Sequence, residues 1–305
     1  MAWMTRSLIP LFFLFLAVAP GSAEEPNSDP GGRCRALFDR LVAPILTVKE
    51  PRFASAAAKG ADGCLFGNVT AQIGPSFLDI DAIDVDHAAF LTSKNLPMPK
   101  ALRVSVTGVT FGLKGNPVYN YILKASSYSP SLMINYKYDE ATKALDLRDF
   151  SLEWGRGKLN VSGSVLGFVP GGSNALPGMT LFTLSLKSLK LTLSDPDSSI
   201  QRPFMQLVGF RFLEGSTDPA AKSAELRRQA ADWLHTSLPP FNISKDSISA
   251  LVDAIQAFPK AGKRFDVEIN PPKPVGIADL APVIRGDKPG KDLFPDGAVK
   301  VTYGD

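Results

Sequence analysis

The chain has 305 residues, of which 45% are hydrophobic and 21% are charged, with 33 basic and 30 acidic side chains. This length suits one large domain or two small ones. A formal charge of only +3 argues against a dedicated nucleic-acid binder, which needs a concentrated basic surface. With two histidines and two cysteines, few residues remain for catalysis, and we expect no enzyme, no metal and no cofactor.

The first 23 residues have the three-part pattern of a signal peptide. Arg6 supplies the positive start, residues 8–19 form an apolar run, and Gly21-Ser22-Ala23 matches a cleavage site. The run is too short to span a bilayer comfortably, and no second run of spanning length follows. We therefore expect a periplasmic or secreted mature chain without a transmembrane segment. Retention of the run as an anchor is the alternative.

Residues 24–32 are polar and contain Gly and Pro, which predicts a disordered lead. Residues 33–305 are predicted to form a single α+β domain. Its first part, 33–64, is a predicted helical segment, with a helix over 33–43 and one more helical turn over 54–59.

Cys34 and Cys64 are the two cysteines of the chain. An even pair without metal-like spacing, in an exported protein, predicts a disulfide. It would join the first helix to the first strand and stabilise the fold by roughly 3 to 4 kcal/mol in the chain-entropy model. Two free buried thiols are the alternative, and a redox role would need a closer motif such as C-x-x-C.

Residues 65–194 carry a recurring slip, in which apolar residues alternate, skip two positions and alternate again. Strict alternation buries one face of a strand, so an inserted residue would turn the remainder inside out unless the chain bulges or bends there. We therefore expect a β-meander of six to eight long strands, bulged or bent at each slip. The slips fall at Asp81-Ala82, Thr107-Gly108, Arg148-Asp149 and Lys187-Ser188.

The slip pattern has two alternative explanations besides a bulged strand. A helical stripe could hold residues 182, 186, 189 and 193, but it would leave Leu184 and Leu191 off the stripe, among poor helix formers. A tight hairpin at each slip would need residues that tolerate positive φ, which only Thr107-Gly108 offers. Short turns join further strands predicted over 119–127, 132–138, 145–154 and 159–168.

The last third changes character. Residues 195–260 are predicted to be amphipathic helices that cover one face of the sheet, over 199–213, from 219 onwards, and from a Ser244 cap to Phe258. Residues 261–305 return to strand, at 265–269 and 299–303. We expect these strands to pair with an edge of the same sheet, because an unpaired strand would promote aggregation.

Catalytic and metal-binding signals are weak. His87 follows the acidic residues of an alternating segment, where the solvated face of a strand explains the carboxylates better than a calcium loop does. These residues are Asp79, Asp81, Asp84 and Asp86. His235 falls at the end of a predicted helix, where a cation is favoured by the helix dipole. The sequons at Asn68, Asn160 and Asn242 are interpreted as accidental, with surface glycans as the alternative.

The segments Leu102-Arg-Val-Ser-Val-Thr-Gly-Val-Thr-Phe and Leu145-Asp-Leu-Arg-Asp-Phe-Ser-Leu-Glu-Trp resemble the β-repeat of AsmA-like envelope proteins of Gram-negative bacteria. The resemblance covers about residues 78–193. It implies a β-groove associated with lipid movement. The family usually keeps a membrane anchor, whereas this chain has an apparently cleavable signal and a helical C-terminal third.

These observations predict a large curved antiparallel sheet with a helical cover and, in function, a non-enzymatic protein that binds a lipid or other apolar ligand. Candidate groove-lining aromatics, for which core packing is the alternative, are Phe111, Tyr136, Trp154, Phe182, Phe204 and Phe212. An adaptor that binds another envelope protein through a sheet edge is the second hypothesis. A hydrolase is the third, and it requires His87 or His235 to lie beside a carboxylate in a cleft.

Overall fold

The computed structural model describes residues 30–39, 49–60, 63–73, 76–89, 99–113, 129–169, 183–202, 212–258 and 262–304, with single positions at 209 and between 115 and 121. The predicted signal peptide and most of the predicted disordered lead lie outside the described residues.

These residues form eleven strands and four α-helices of at least eight residues, besides shorter helical segments. The helices are α1 (Pro30–Leu37), α2 (Pro219–Ser237), α3 (Lys245–Ala257) and α4 (Ile277–Ile284). The strands up to residue 154 are β1 (Lys49–Lys59), β2 (Gly63–Ile73), β3 (Ser76–Ala89), β4 (Ala101–Leu113), β5 (Ser131–Asp139) and β6 (Ala144–Trp154). The remaining strands are β7 (Gly157–Leu166), β8 (Ser185–Ser194), β9 (Arg264–Ile269), β10 (Val275–Gly276) and β11 (Val299–Gly304).

The strands form one large antiparallel sheet. Its order follows the chain from β1 to β9 and then β11, with β10 beside β8. This confirms the predicted α+β class and the predicted meander, which has eight strands before the helical region. The prediction that the last strands join the same sheet is also confirmed, because β9 pairs with β8 and β11 pairs with β9.

The chain divides into two compact units. The first contains Met1–Glu140, Arg148–Leu152 and Val169–Ala175, and the second contains Ala141–Leu147, Glu153–Phe168 and Leu176–Asp305. Each unit has its own cluster of buried apolar side chains. The predicted single domain over 33–305 stays a prediction.

The first unit has a closed core. The predicted bridge is present, because Cys34 on α1 and Cys64 on β2 form a disulfide. Phe38 packs edge-on against the rings of Phe53 and Phe66, with centroid distances of 4.8 and 5.3 Å. The other buried members of this core are Leu37 of α1 and eight residues of β2, β3 and β4, namely Val69, Ala71, Leu78, Ile80, Ile83, Val85, Leu102 and Val104.

The predicted helical turn over 54–59 is wrong, because these residues belong to β1, which pairs antiparallel with β2. Ala-rich sequences favour helix locally, but ladder hydrogen bonds to β2 override that preference here. The disulfide therefore joins α1 to the second strand of the sheet. The helix itself begins at Pro30, three residues before the predicted start.

The slips of the first unit lie at one level of the sheet. In each pair of neighbouring strands from β1 to β4, one residue pair lacks regular pairing, and these gaps lie side by side across the sheet. The register before and after each gap is the same. The residues at the gaps are Ala54, Asn68, Asp81 and Gly108. Asn68 and Gly108 have positive φ, 49° and 69°. In β2 and β4 this left-handed residue turns the strand, and apolar side chains before and after it reach the same face, as Phe66 and Val69 do in β2. We call these four positions the slip line.

The slip predicted at Lys187-Ser188 in β8 is a one-residue bulge. Ser164 pairs with Ser188, but the next residue, Val165, pairs with Leu186, so Lys187 is the extra residue. A bulge places two residues of one strand opposite one of its neighbour and restores the alternation of faces beyond it. The prediction of bulges at the slips is therefore confirmed at this position.

The helices α2 and α3 begin where the sequence predicts. Asp218 and Ser244 are the N-cap residues, and their side chains accept hydrogen bonds from the Ala221 and Ser247 backbone N–H groups. The two helices pack together through Ala231, Leu234, Ile248 and Val252. The helix predicted over 199–213 lies mainly outside the described residues, although residues 201–202 and 212–213 are helical.

Two further elements differ from the prediction. Residues 120–121 are helical where a strand over 119–127 is predicted, and the rest of that stretch is outside the described residues. The helix α4 lies within 261–305, where only strands are predicted. Pro282 inside α4 hides it from pattern analysis, but Asp279 accepts a hydrogen bond from the Gly276 backbone N–H at 2.7 Å and closes its first turn.

Candidate functional site

The second unit presents an array of apolar side chains on one face of β7, β8, β9 and β11. Paired residues of antiparallel strands project to the same side of the sheet, so the register of these strands places whole rows of side chains together. One row is Val161, Leu191, Val267 and Val301. The rows on either side are Leu159, Leu193, Phe265 and Tyr303, and Gly163, Leu189, Ile269 and Val299. We call these twelve positions the leucine face.

The leucine face is only half-buried over most of its extent. Val301 on β11 is buried, with 5% exposure. The other three residues of the same row, Val161, Leu191 and Val267, are only half-buried. In the first unit, the corresponding core residues Phe66, Val69 and Val85 are fully buried. The contrast shows that the apolar face of β7, β8 and β9 keeps accessible surface that a closed core would remove from water.

The helix α3 accounts for the burial at β11. It packs on β11, and the Val301 backbone N–H donates a hydrogen bond of 3.1 Å to the Ser247 hydroxyl. An edge strand leaves every second N–H unpaired, and a helix that meets these groups protects the edge. The helix therefore covers the β11 edge of the array.

The opposite face of the same strands is polar. Thr192 donates a hydrogen bond of 2.7 Å to Asp266, whose carboxylate also accepts two hydrogen bonds from the Arg264 guanidinium. The Arg264 hydrogen bonds lower the pKa of Asp266 below its ordinary value. The sheet of this unit thus has one charged, hydrogen-bonded face and one apolar face.

The predicted groove aromatics do not form one set. Tyr136 packs against the core of the first unit, where burial raises the pKa of its hydroxyl. Trp154 is half-buried at the end of β6, and Phe212 is 58% exposed. Phe182 and Phe204 lie outside the described residues, and Phe111 lies in β4. The sequence does not reveal that the alternating apolar residues of β9 lie beside those of β8. The register between two distant strands is not encoded in either segment alone.

A second feature is an open, solvent-facing cavity of about 360 Å³ between α2 and α3. Five of its eight lining residues are exposed, namely Ala224, Arg228, Asp232, His235 and Gln256. Its walls include the buried side chains of Ala231 and Val252. His235 lies at its margin together with Asp232 from the preceding turn of α2. The sequence identifies His235 as a candidate residue but does not predict the cavity that it lines. The eight lining residues include no serine, threonine or cysteine, and so supply no nucleophile of the kind used in acyl transfer.

The acidic run of β3 meets a lysine. Lys59 on β1 lies 2.7 Å from Asp84 and 3.6 Å from Asp86. Its hydrogen bond to Asp84 raises the pKa of the Lys59 ammonium. Asp81 is exposed on the slip line, and His87 follows in the same strand. The described part of the chain contains no group of three or more potential ligands arranged to hold a metal.

The three sequon asparagines have different surroundings. Asn68 is exposed at positive φ in β2, and Asn160 is half-buried in β7. The Asn242 amide donates hydrogen bonds to the Phe294 carbonyl at 2.9 Å and to Asp296 at 3.0 Å. At Asn242, therefore, the side-chain nitrogen has a structural role in tying the α2–α3 connection to the turn before β11.

No protein-family model matches the sequence, and no curated protein matches it. The resemblance to AsmA-like proteins therefore stays a prediction. Across the ranges that the structure describes, no helix is long and apolar enough to cross a membrane.

Proposed function

We propose that this is an exported, non-enzymatic protein that binds a lipid or another elongated apolar ligand on the leucine face. The observation that supports this proposal most strongly is the half-buried apolar array on β7, β8 and β9, beside the helix α3 that packs on its β11 edge. Sites for apolar ligands are lined mainly by apolar side chains, with few polar groups. The disulfide between Cys34 and Cys64 fits an oxidising compartment such as the periplasm.

The size of the array suits an acyl chain. The half-buried part of the array consists of three rows of side chains on β7, β8 and β9, and neighbouring strands lie about 4.8 Å apart. A ligand that covers the row of Val161, Leu191 and Val267 removes apolar area from water at about 25 cal/mol per Å². Ordering of the ligand opposes this gain, so micromolar rather than nanomolar affinity is the expected range.

The test is direct binding of a long-chain fatty acid. Native mass spectrometry of protein purified from the exported fraction, followed by organic extraction, should identify bound lipid. Titration with a fluorescent long-chain fatty acid should then saturate at one site. A ligand-free protein that also ignores the added fatty acid would refute the proposal.

The residue-level test is Leu191→Asn. Leu191 is at the centre of the array, and loss of its apolar surface should weaken fatty-acid binding by roughly tenfold. Ser162→Asn is the matched control, because Ser162 pairs with Lys190 on the polar face of the same strands. Equal affinity of the two variants, with unchanged circular dichroism, would place the ligand elsewhere.

One observation favours the adaptor hypothesis as a second candidate. The strand β1 is the last strand of the sheet on its side, and its residues 55–58, Ser-Ala-Ala-Ala, are all exposed. Small side chains on an edge strand allow a partner strand to approach and pair with the backbone. Pro51, nearer the start of β1, limits such pairing to the second half of the strand.

The adaptor hypothesis has its own test. In pull-downs from envelope extracts, a partner held through β1 should be retained by the unmodified chain and lost from Ala57→Lys, since a lysine on an edge opposes strand addition. Ala36→Lys, on an exposed position of α1, should leave capture unchanged. Retention by all three proteins would exclude β1 as the docking strand.

A further inference from the structure

The cavity between α2 and α3 has a composition that the leucine face lacks. Two guanidinium groups and an imidazole line it, from Arg227, Arg228 and His235, against the single carboxylate of Asp232. Its floor is apolar, formed in part by Ala231 and Val252. An apolar floor with a few convergent donors is the usual composition of a small-molecule site.

Small residues on α2 create the space. Ala224 and Ala231 both line the cavity and are seven residues apart, so they lie on the same face of the helix, two turns from each other. A larger side chain at the buried position Ala231 would fill the gap against α3, and one at the exposed position Ala224 would narrow its mouth. The volume of about 360 Å³ is at the lower end of the range for ligand pockets and suits a small molecule.

The two arginines each have one intramolecular partner. The Arg227 guanidinium donates a hydrogen bond of 2.9 Å to the Phe258 carbonyl just after α3, and the mainly exposed Arg228 lies 2.6 Å from Glu225 one turn earlier. A guanidinium has five N–H donors, so one such contact leaves others for an anion. Arginines are suited to planar oxyanions, which they bind through paired hydrogen bonds.

We propose that this cavity binds a small organic oxyanion, a carboxylate or phosphate attached to a short apolar body, with the charged group at Arg227, Arg228 and His235. The apolar body occupies the floor at Ala231 and Val252. This site is separate from the leucine face and does not depend on the function proposed above.

Hexanoate is the test ligand, and hexanol and inorganic phosphate are its two comparisons. Each is titrated into the full mature chain labelled with ¹⁵N, at pH 7 and constant ionic strength. Hexanoate should shift the amide signals of residues 224–235 and 252–256 in a saturable manner. Hexanol, which lacks the charge, and phosphate, which lacks the apolar body, should each bind at least about tenfold more weakly.

Two variants and one control locate the site. Arg228→Gln, at a mainly exposed side chain, should weaken hexanoate binding by about tenfold. Ala224→Leu should also weaken it, by narrowing the mouth of the cavity. Lys222→Gln removes a positive charge from the same helix outside the cavity and should leave the affinity unchanged.

Four results would overturn the proposal. Hexanol or phosphate could bind as tightly as hexanoate, hexanoate could produce no saturable shift in these residues, Ala224→Leu could bind normally while folded, or Lys222→Gln could weaken binding as much as Arg228→Gln. Hexanoate shifts confined to β7, β8 and β9 would overturn this site while supporting the leucine face, so the two proposals fail independently.

Discussion

Asp195 shows how one buried carboxylate can fix a chain connection. It is 1% exposed and accepts hydrogen bonds from the Gln201 backbone N–H at 2.8 Å and the Ile200 backbone N–H at 3.2 Å. The Ser199 hydroxyl, which also contacts Asp195, donates to the Trp154 carbonyl and accepts from the Gly157 backbone N–H. The turn between β6 and β7 is thereby tied to the segment that follows β8.

We expect Asp195→Ala to lower the free energy of unfolding by about 2 to 4 kcal/mol, because it leaves several buried donors unpaired. Urea denaturation followed by fluorescence measures this. Asp287→Ala, which removes an exposed ion pair with Arg285, should cost less than about 1 kcal/mol. Similar stability of both variants would show that the Asp195 contacts contribute nothing net.

The slip line can be tested within one strand. Asn68 has φ of 49°, which asparagine tolerates, glycine accepts freely and a β-branched residue resists. Asn68→Val should therefore destabilise the first unit by about 1 to 2 kcal/mol, and Asn68→Gly should be neutral or slightly stabilising. Thr70→Val is the control, since Thr70 pairs regularly with Arg52 and Asp79. Thermal melts that rank the valine variants equally would contradict the left-handed conformation at Asn68.

The disulfide links two elements that the core already brings together. Its loop spans 30 residues of sequence separation, so the chain-entropy model gives a stabilisation of roughly 3 to 4 kcal/mol. The double variant Cys34→Ser with Cys64→Ser should melt at a lower temperature and keep its β-type circular dichroism. Native protein from the exported fraction should contain no reactive thiol, and finding two would refute the bridge.

Elements were predictable from sequence where local pattern and local chemistry agree. The helix α3 combines a Ser244 cap with an apolar face, and β8 combines alternation with a slip that is a real bulge. No slip is predicted in β2, although Phe66 and Val69, three positions apart, are both buried there. In β1 the alanines give no apolar contrast, so only pairing with β2 reveals the strand.

At the scale of the whole molecule, the candidate sites were less predictable than the fold. The leucines of β8 are visible in the sequence, but their half-buried state depends on where α3 packs, which in the described residues is chiefly on β11. The cavity depends on which face of α2 meets α3. Such long-range placements follow from packing that no local pattern contains.

The two units should also differ in their local stability. The first encloses a core with fully buried Phe38, Phe66, Val69 and Val85, whereas the leucine face of the second is half-buried. Local opening costs less free energy where fewer apolar contacts are lost and backbone hydrogen bonds lie nearer solvent.

Hydrogen exchange followed by mass spectrometry should therefore show slower exchange in peptides covering 64–85 than in those covering 159–166 and 186–193. A saturating long-chain fatty acid should slow exchange in the second group, because the ligand shields the leucine face and adds its binding free energy to the cost of opening. Peptides of the first group should exchange as before. Equal protection of both groups in the free protein would mean that the half-buried face is as tightly closed as the core of the first unit.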